Sequence, residues 1–231
     1  PSYLELLYRR EIALQQFAIE GPELKRIARG DLFGIENSRK AMRGTLGGLL
    51  SPATFESKLR QERKLQAAVA ANAELGASLD DWERIRHSMD ASRKFREEYI
   101  FLEGGRAFWS TLYRSARTIL RLADEQGKPS SDRLPEYRDT RLPSVRMSLE
   151  SPAPVYPALE KAKLTDSLTH FMKVFGAEHP YVKLVMAGHS PAERAHELVS
   201  GTSLGDVDAR KKLLGGGREE LDKLADPMIE L

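Results

Sequence analysis

The sequence predicts an all-α protein. Apolar residues recur at helical spacing along most of its 231 residues, no run alternates apolar and polar β-branched residues, and Ser-Pro caps and glycine stops punctuate the pattern at helix-sized intervals. Leu4, Leu7, Tyr8, Ile12 and Phe17 set a first helix over 3–20, which Gly21-Pro22 stops. A second runs from about Leu32 to Leu50. Ser51-Pro52 opens a third, reaching about Leu75, because Ser is a good N-cap and Pro fits the first helical position, where its missing N–H needs no partner. Ser78-Leu79-Asp80-Asp81 reads as the cap of a fourth, rich in Arg and Glu up to Leu102. Gly104-Gly105 marks a break, after which Phe108, Leu112, Ile119 and Leu122 carry a fifth helix to about Gln126. Two long helices joined by a short break are expected to fold back as an antiparallel hairpin.

Residues 127–157 differ. Pro129, Pro135, Pro143, Pro152, Pro154 and Pro157 prevent a continuous helix there. The interspersed Leu134, Tyr137, Leu142, Val145, Met147 and Leu149 predict that the stretch packs down rather than hangs free. Shorter helices follow. Leu164, Leu168, Phe171 and Phe175 form one stripe ended by Gly176, and Pro180 to Gly188 brackets another helix. Ser190-Pro191-Ala192-Glu193 is a capping box opening a helix that Gly201 closes, and Asp206 opens one that Gly215-Gly216-Gly217 ends. The organisation predicted is a single multi-helix domain: long helices over 1–126, a proline-rich connection over 127–157 and short helices over 158–231.

Composition excludes several function classes. Lys and Arg number 36 against 34 Asp and Glu, a net charge of +2, which argues against a dedicated nucleic-acid binder. The Arg-rich stretch 84–96 is diluted by Glu83, Asp90, Glu97 and Glu98 and lacks an aromatic platform. No run of about 18 apolar residues exists to span a membrane. The absence of Cys removes disulfides, thiolate metal sites and a cysteine nucleophile. The chain opens at Pro1 without a signal-peptide pattern, and the expectation is a domain cut from a longer protein.

No catalytic set, cofactor or metal site is predicted. His87, His170, His179, His189 and His196 show no metal-ligand spacing. His196-Glu197 begins like a zinc motif, but Ser200 stands where its second His would be. Gly44-Thr45-Leu46-Gly47-Gly48 and Gly215-Gly216-Gly217 follow no strand, so neither has the context of a phosphate cradle. No G-x-S-x-G elbow is present, and Ser51, Ser78 and Ser190 read as caps.

One stretch stands out. On a helix, Asn37, Ala41, Gly44 and Gly48 share one face and Ile35, Met42, Leu46 and Leu49 another. Each helix-interior Gly costs roughly 1 kcal/mol against Ala. Something is therefore expected to approach the backbone closely. Another helix is the plainer candidate. A ligand is the sharper one, with Asn37 offering an amide that both donates and accepts.

The same residues carry a resemblance. Phe33-Gly34-Ile35-Glu36-Asn37-Ser38-Arg39-Lys40-Ala41, with Gly44 and Leu46-Gly47-Gly48-Leu49, resembles family forty-six of the serine peptidases, the bacterial dipeptidyl-peptidases with a helical cap. Ala116-Arg117 to Lys128-Pro129, 133–139, Ser151-Pro152-Ala153-Pro154, Gly188-His189-Ser190-Pro191, 198–202 and Asp226-Pro227-Met228-Ile229 agree in order.

The resemblance implies the helical insert of a chymotrypsin-like double β-barrel peptidase. Its Ser-His-Asp triad lies outside this chain, so the chain alone is expected to be inactive. It implies that Asn37 helps bind the α-amino group of a peptide substrate, with the barrel domain as partner. It also implies a homodimer and a periplasmic or cell-surface location. The alternative is a free-standing helical module that binds another protein through its charged faces.

Overall fold

The computed structural model describes residues 2–72, 75, 78–103 and 108–231. Among them the chain forms twelve α-helices, one 3-10 helix and no strand, so the all-α prediction holds. The chain divides into two compact units, one of residues 1–12 with 30–104, the other of 13–29 with 105–231. Helices α1 (Ser2–Ile19) and α2 (Pro22–Leu50) contribute a segment to each.

In the first unit, α1 and α2 are joined by polar and aromatic contacts. Arg39 Nε lies 3.0 Å from Glu11 Oε2, and the Arg39 guanidinium sits 4.9 Å from the centre of the Tyr8 ring. Leu7, Ile35 and Phe101 are buried. Helix α3 (Pro52–Ala70) packs on α4 (Ser78–Leu102) yet buries no residue of its own. Trp82, Ile85, Met89, Phe95 and Tyr99 of α4 are exposed.

The second unit holds the larger core. Helix α5 (Thr111–Gln126) is followed by the 3-10 helix Pro135–Tyr137 and by α6 (Leu142–Leu149), α7 (Pro157–Phe175), α8 (Pro180–Met186) and α9 (Pro191–Gly201). Helices α10 (Val207–Leu214), α11 (Arg218–Leu221) and α12 (Pro227–Glu230) complete it. Helix α7 packs on α9, and α12 packs on both α5 and α9. Leu164, Leu168 and Phe171 of the predicted stripe are fully buried beside Leu198 and Leu204. Each such side chain contributes about 1.5–3 kcal/mol by leaving water. Phe171 also meets Phe108 and Phe175 edge-on, with ring centres 5.4 and 5.2 Å apart.

Local chemistry sets most boundaries. Ser190 Oγ accepts from the Glu193 amide at 3.3 Å, and Glu193 Oε2 accepts from the Ser190 amide at 2.9 Å, closing the predicted capping box. Asp206 Oδ1 accepts from the amides of Asp208 and Ala209. Gly176, at φ 83°, ends α7 in a conformation that a side chain would strain.

The proline-rich stretch is tied down at two points. Near its start, the buried Glu125 carboxylate accepts from the Leu134 amide at 2.7 Å and from Lys128 Nζ at 2.5 Å. Near its end, the buried Arg210 guanidinium donates to the carbonyls of Leu149 and Ser151, both at 2.7 Å. Tyr137 and Leu149 are buried as expected, whereas Leu134 and Met147 are exposed.

Three local expectations are corrected. Helix α2 begins at Pro22, ten residues before Leu32: the Gly21-Pro22 pair that stops α1 also starts α2, because Pro is preset for the first helical position. Ser51 precedes α3 at the N-cap position but makes no side-chain cap bond. Helix α3 stops at Ala70 rather than near Leu75. Helix α4 packs on α3 within the first unit, and α5 belongs to the second. The cap read at the Ser78 side chain and the Gly104-Gly105 break lie outside the described residues. No described helix is long and apolar enough to cross a membrane.

Candidate functional site

Asn37 lies near the middle of α2, on the side of the helix that the first unit leaves open. The opposite side is anchored: Ile35 is buried, Met42 and Leu46 are half-buried, and Arg39 is held by Glu11 and Tyr8. Leu49, expected on that apolar side, is exposed. The open side carries Phe33, Asn37, Ala41, Gly44 and Gly48, all exposed. At about 1.5 Å per residue, the bare strip from Asn37 to Gly48 is roughly 16 Å long. Among the described residues Asn37 has no hydrogen-bond partner, so its amide is free to bind.

The glycines of this helix correct the plainer expectation. A Cβ placed on Gly30, Gly34, Gly44, Gly47 or Gly48 would meet no described atom of the chain within 4 Å. No described helix of the first unit packs there. Five interior glycines disfavour α2 by about 4–5 kcal/mol relative to alanine, and nothing described in the chain fills the space they leave.

The histidines do not converge. His179 Nδ1 accepts from the Tyr181 amide at 3.3 Å and so caps α8. His189 Nε2 lies 3.5 Å from Glu197 Oε2, and His196 Nδ1 accepts from Lys161 Nζ at 3.0 Å. Among the described residues no group of three or more His, Asp or Glu is placed to hold a metal ion.

One polar cluster is not anticipated by the sequence reading. Glu160, buried on α7, accepts at Oε2 from Ser110 Oγ (2.6 Å) and from the amides of Thr111 (2.6 Å) and Leu112 (3.2 Å). Its Oε1 lies 3.4 Å from Lys163 Nζ, which sits 5.2 Å from the centre of the Trp109 ring. Ser110 Oγ also accepts from the Tyr113 amide, while Ser167 Oγ accepts from the Trp109 amide and donates to the Lys163 carbonyl. Both hydroxyls are buried and fully committed, so neither is poised as a nucleophile. The carboxylate instead takes amides that the N-terminus of α5 would otherwise leave unpaired, and its charge suits the positive end of the helix dipole. Glu160, Lys163 and Ser167 fall on the face that also carries Leu164, Leu168 and Phe171, and polar residues on a buried stripe were the available signal.

The catalytic set absent from the sequence reading is thus not supplied by these buried serines. A family model described as Peptidase S46 matches residues 1–231, the whole chain.

Proposed function

The chain belongs to the Peptidase S46 family, which gives it a peptidase-related role, and from that premise we propose that it is the helical cap of a serine-type dipeptidyl-peptidase. In this reading the cap covers the active-site cleft of a double β-barrel that carries the triad. Asn37 contributes to binding the substrate's free N-terminus: the α-ammonium donates to the Asn37 Oδ1 carbonyl, and the bare strip from Ala41 to Gly48 lets the substrate or barrel approach the α2 backbone. A homodimer and a periplasmic or cell-surface location belong to the same reading.

The observation that supports it most is that Asn37 stands unpartnered on a helix face stripped to Ala and Gly, with no described atom of the chain against it. A hydrogen bond to a charged group contributes about 1.5–3 kcal/mol. At about 1.4 kcal/mol per factor of ten, Asn37→Ala should lower kcat/KM of the full-length enzyme by roughly 10- to 100-fold. The loss is expected on dipeptidyl substrates with a free N-terminus, with the melting temperature unchanged, because the residue is exposed. Undiminished cleavage of free dipeptidyl substrates by the variant overturns the assignment.

A further inference from the structure

A groove of about 430 Å³ in the second unit brings cations and hydroxyls together. Its lining comes from the first turns of α5, from α6 and from the extended stretch 151–155, with Arg210 beneath. Two arginines line it and no acidic residue does. Arg210 is only 5% exposed, and its guanidinium donates to four neutral acceptors, the carbonyls of Leu149, Ser151, Leu204 and Gly205. Its positive charge is therefore fixed in place without an ion-pair partner among the described residues. Asp206 feels that charge, but its carboxylate is held by the α10 amides and does not line the groove.

Ser151 Oγ, also in the lining, already accepts from the Ala153 amide. Arg114 is exposed and forms no ion pair among the described residues. Arg114 and Ser115 follow Thr111 at helical spacing on one face of α5, and Ser144 and Ser148 lie four apart on one face of α6. The side chains of Ser115, Ser144 and Ser148 make no hydrogen bond among the described residues. The α5 N-terminal amides are not part of this arrangement, because Glu160 and Ser110 already take them, and Glu160 is itself paired with Lys163. Val155 and Pro154 give the groove an apolar wall.

An exposed guanidinium, three hydroxyls without a partner among the described residues and a fixed cation behind them form a donor-rich set with no carboxylate in its lining. We propose that this groove binds an oxyanion-bearing small ligand, a carboxylate or a phosphate. Arg114 and the hydroxyls of Ser115, Ser144 and Ser148 hold it, and Arg210 supplies positive charge from below. Charge-assisted bonds to Arg suit both oxyanions. The site lies on the second unit, and it does not depend on the role given to Asn37.

Inorganic phosphate and N-acetyl-dialanine are the two probes, titrated into the full-length protein and followed by phosphorus line broadening and by saturation-transfer NMR. N-acetyl-dialanine amide is the uncharged control. Binding of either acid that weakens with added salt, and that Arg114→Gln reduces by roughly tenfold or more, supports the site. Phosphate alone or the peptide acid alone identifies which oxyanion it takes. Ser148→Ala, a second exposed position, is expected to weaken the same probe. Failure of both acids to bind, equal binding of the amide, or an Arg114→Gln variant that binds as well as wild type overturns the proposal.

Discussion

Replacing Gly44 and Gly48 together by alanine separates what α2 needs for its own stability from what it needs for function. Neither new methyl meets a described atom of the chain within 4 Å. The change therefore adds no overlap and only restrains the unfolded backbone. Each substitution gains roughly 1 kcal/mol of helix propensity, so the pair gains about 2 kcal/mol. Local opening of α2 becomes rarer by about thirtyfold, at about 1.4 kcal/mol per factor of ten. Amide exchange across 34–50, followed by mass spectrometry on the full-length protein, should slow by that factor. The activity of the same variant should move the other way. Two methyls on the strip beside Asn37 obstruct whatever approaches it, and kcat/KM on free dipeptidyl substrates should fall at least tenfold if the strip faces substrate or barrel. Unchanged or faster exchange would show that the glycines are not a cost to the helix. Slower exchange with undiminished activity would show that nothing approaches the strip, and the functional reading of α2 would fail.

Three further outcomes follow from the second unit. Gly201→Ala would place a Cβ 2.6 Å from Pro227 Cγ, and a ring closed on the backbone cannot swing aside, so chemical denaturation should show a loss of about 1–3 kcal/mol. Gly205→Ala, with nothing within 4 Å, is the control and should lose far less. The Glu125 carboxyl is held below the usual carboxylate value by Lys128 and then by the Leu134 amide. Because the folded state favours the ionised form, the stability it contributes is present above the unfolded carboxylate pKa and is lost as pH falls through the lower folded value. Urea midpoints between about pH 6 and pH 3 should decline less steeply in Glu125→Gln, and an identical slope refutes the assignment. Ser190→Ala should cost about 1 kcal/mol in the same assay, whereas Ser51→Ala, which removes no cap bond, should cost nothing measurable.

What the sequence made legible was chemistry that closes within a few residues. The Ser190–Glu193 box, the Asp206 cap and the glycine at the end of α7 each need only neighbours along the chain, and each appears where it was expected. The start of α2 was not legible because Pro22 is equally fit to follow one helix and to begin the next. Glu160 could not be assigned from spacing, since the amides it takes lie 48 and 49 residues earlier. Of the candidate site, the face shared by Asn37, Ala41, Gly44 and Gly48 was readable from helical geometry. Whether that face was packed was not: the same small residues admit a neighbouring helix or an open strip, and only the positions of the surrounding helices distinguish them.

The bonds from Arg210 reach back 61 and 59 residues, to Leu149 and Ser151. During synthesis the chain emerges N-terminus first, at about 5–20 residues per second. For some seconds, therefore, the carbonyls of Leu149 and Ser151 have only water to accept from. Residues 142–149 can form their helix and rest on the 3-10 helix in that interval, but the carbonyls of Leu149 and Ser151 gain their guanidinium only once α10 is present. A ribosome stalled before residue 210 would hold a nascent chain in which this stretch is open to protease, and the same stretch should become resistant once translation passes α10. The last tie on this stretch is thus made by a residue some sixty positions downstream of it.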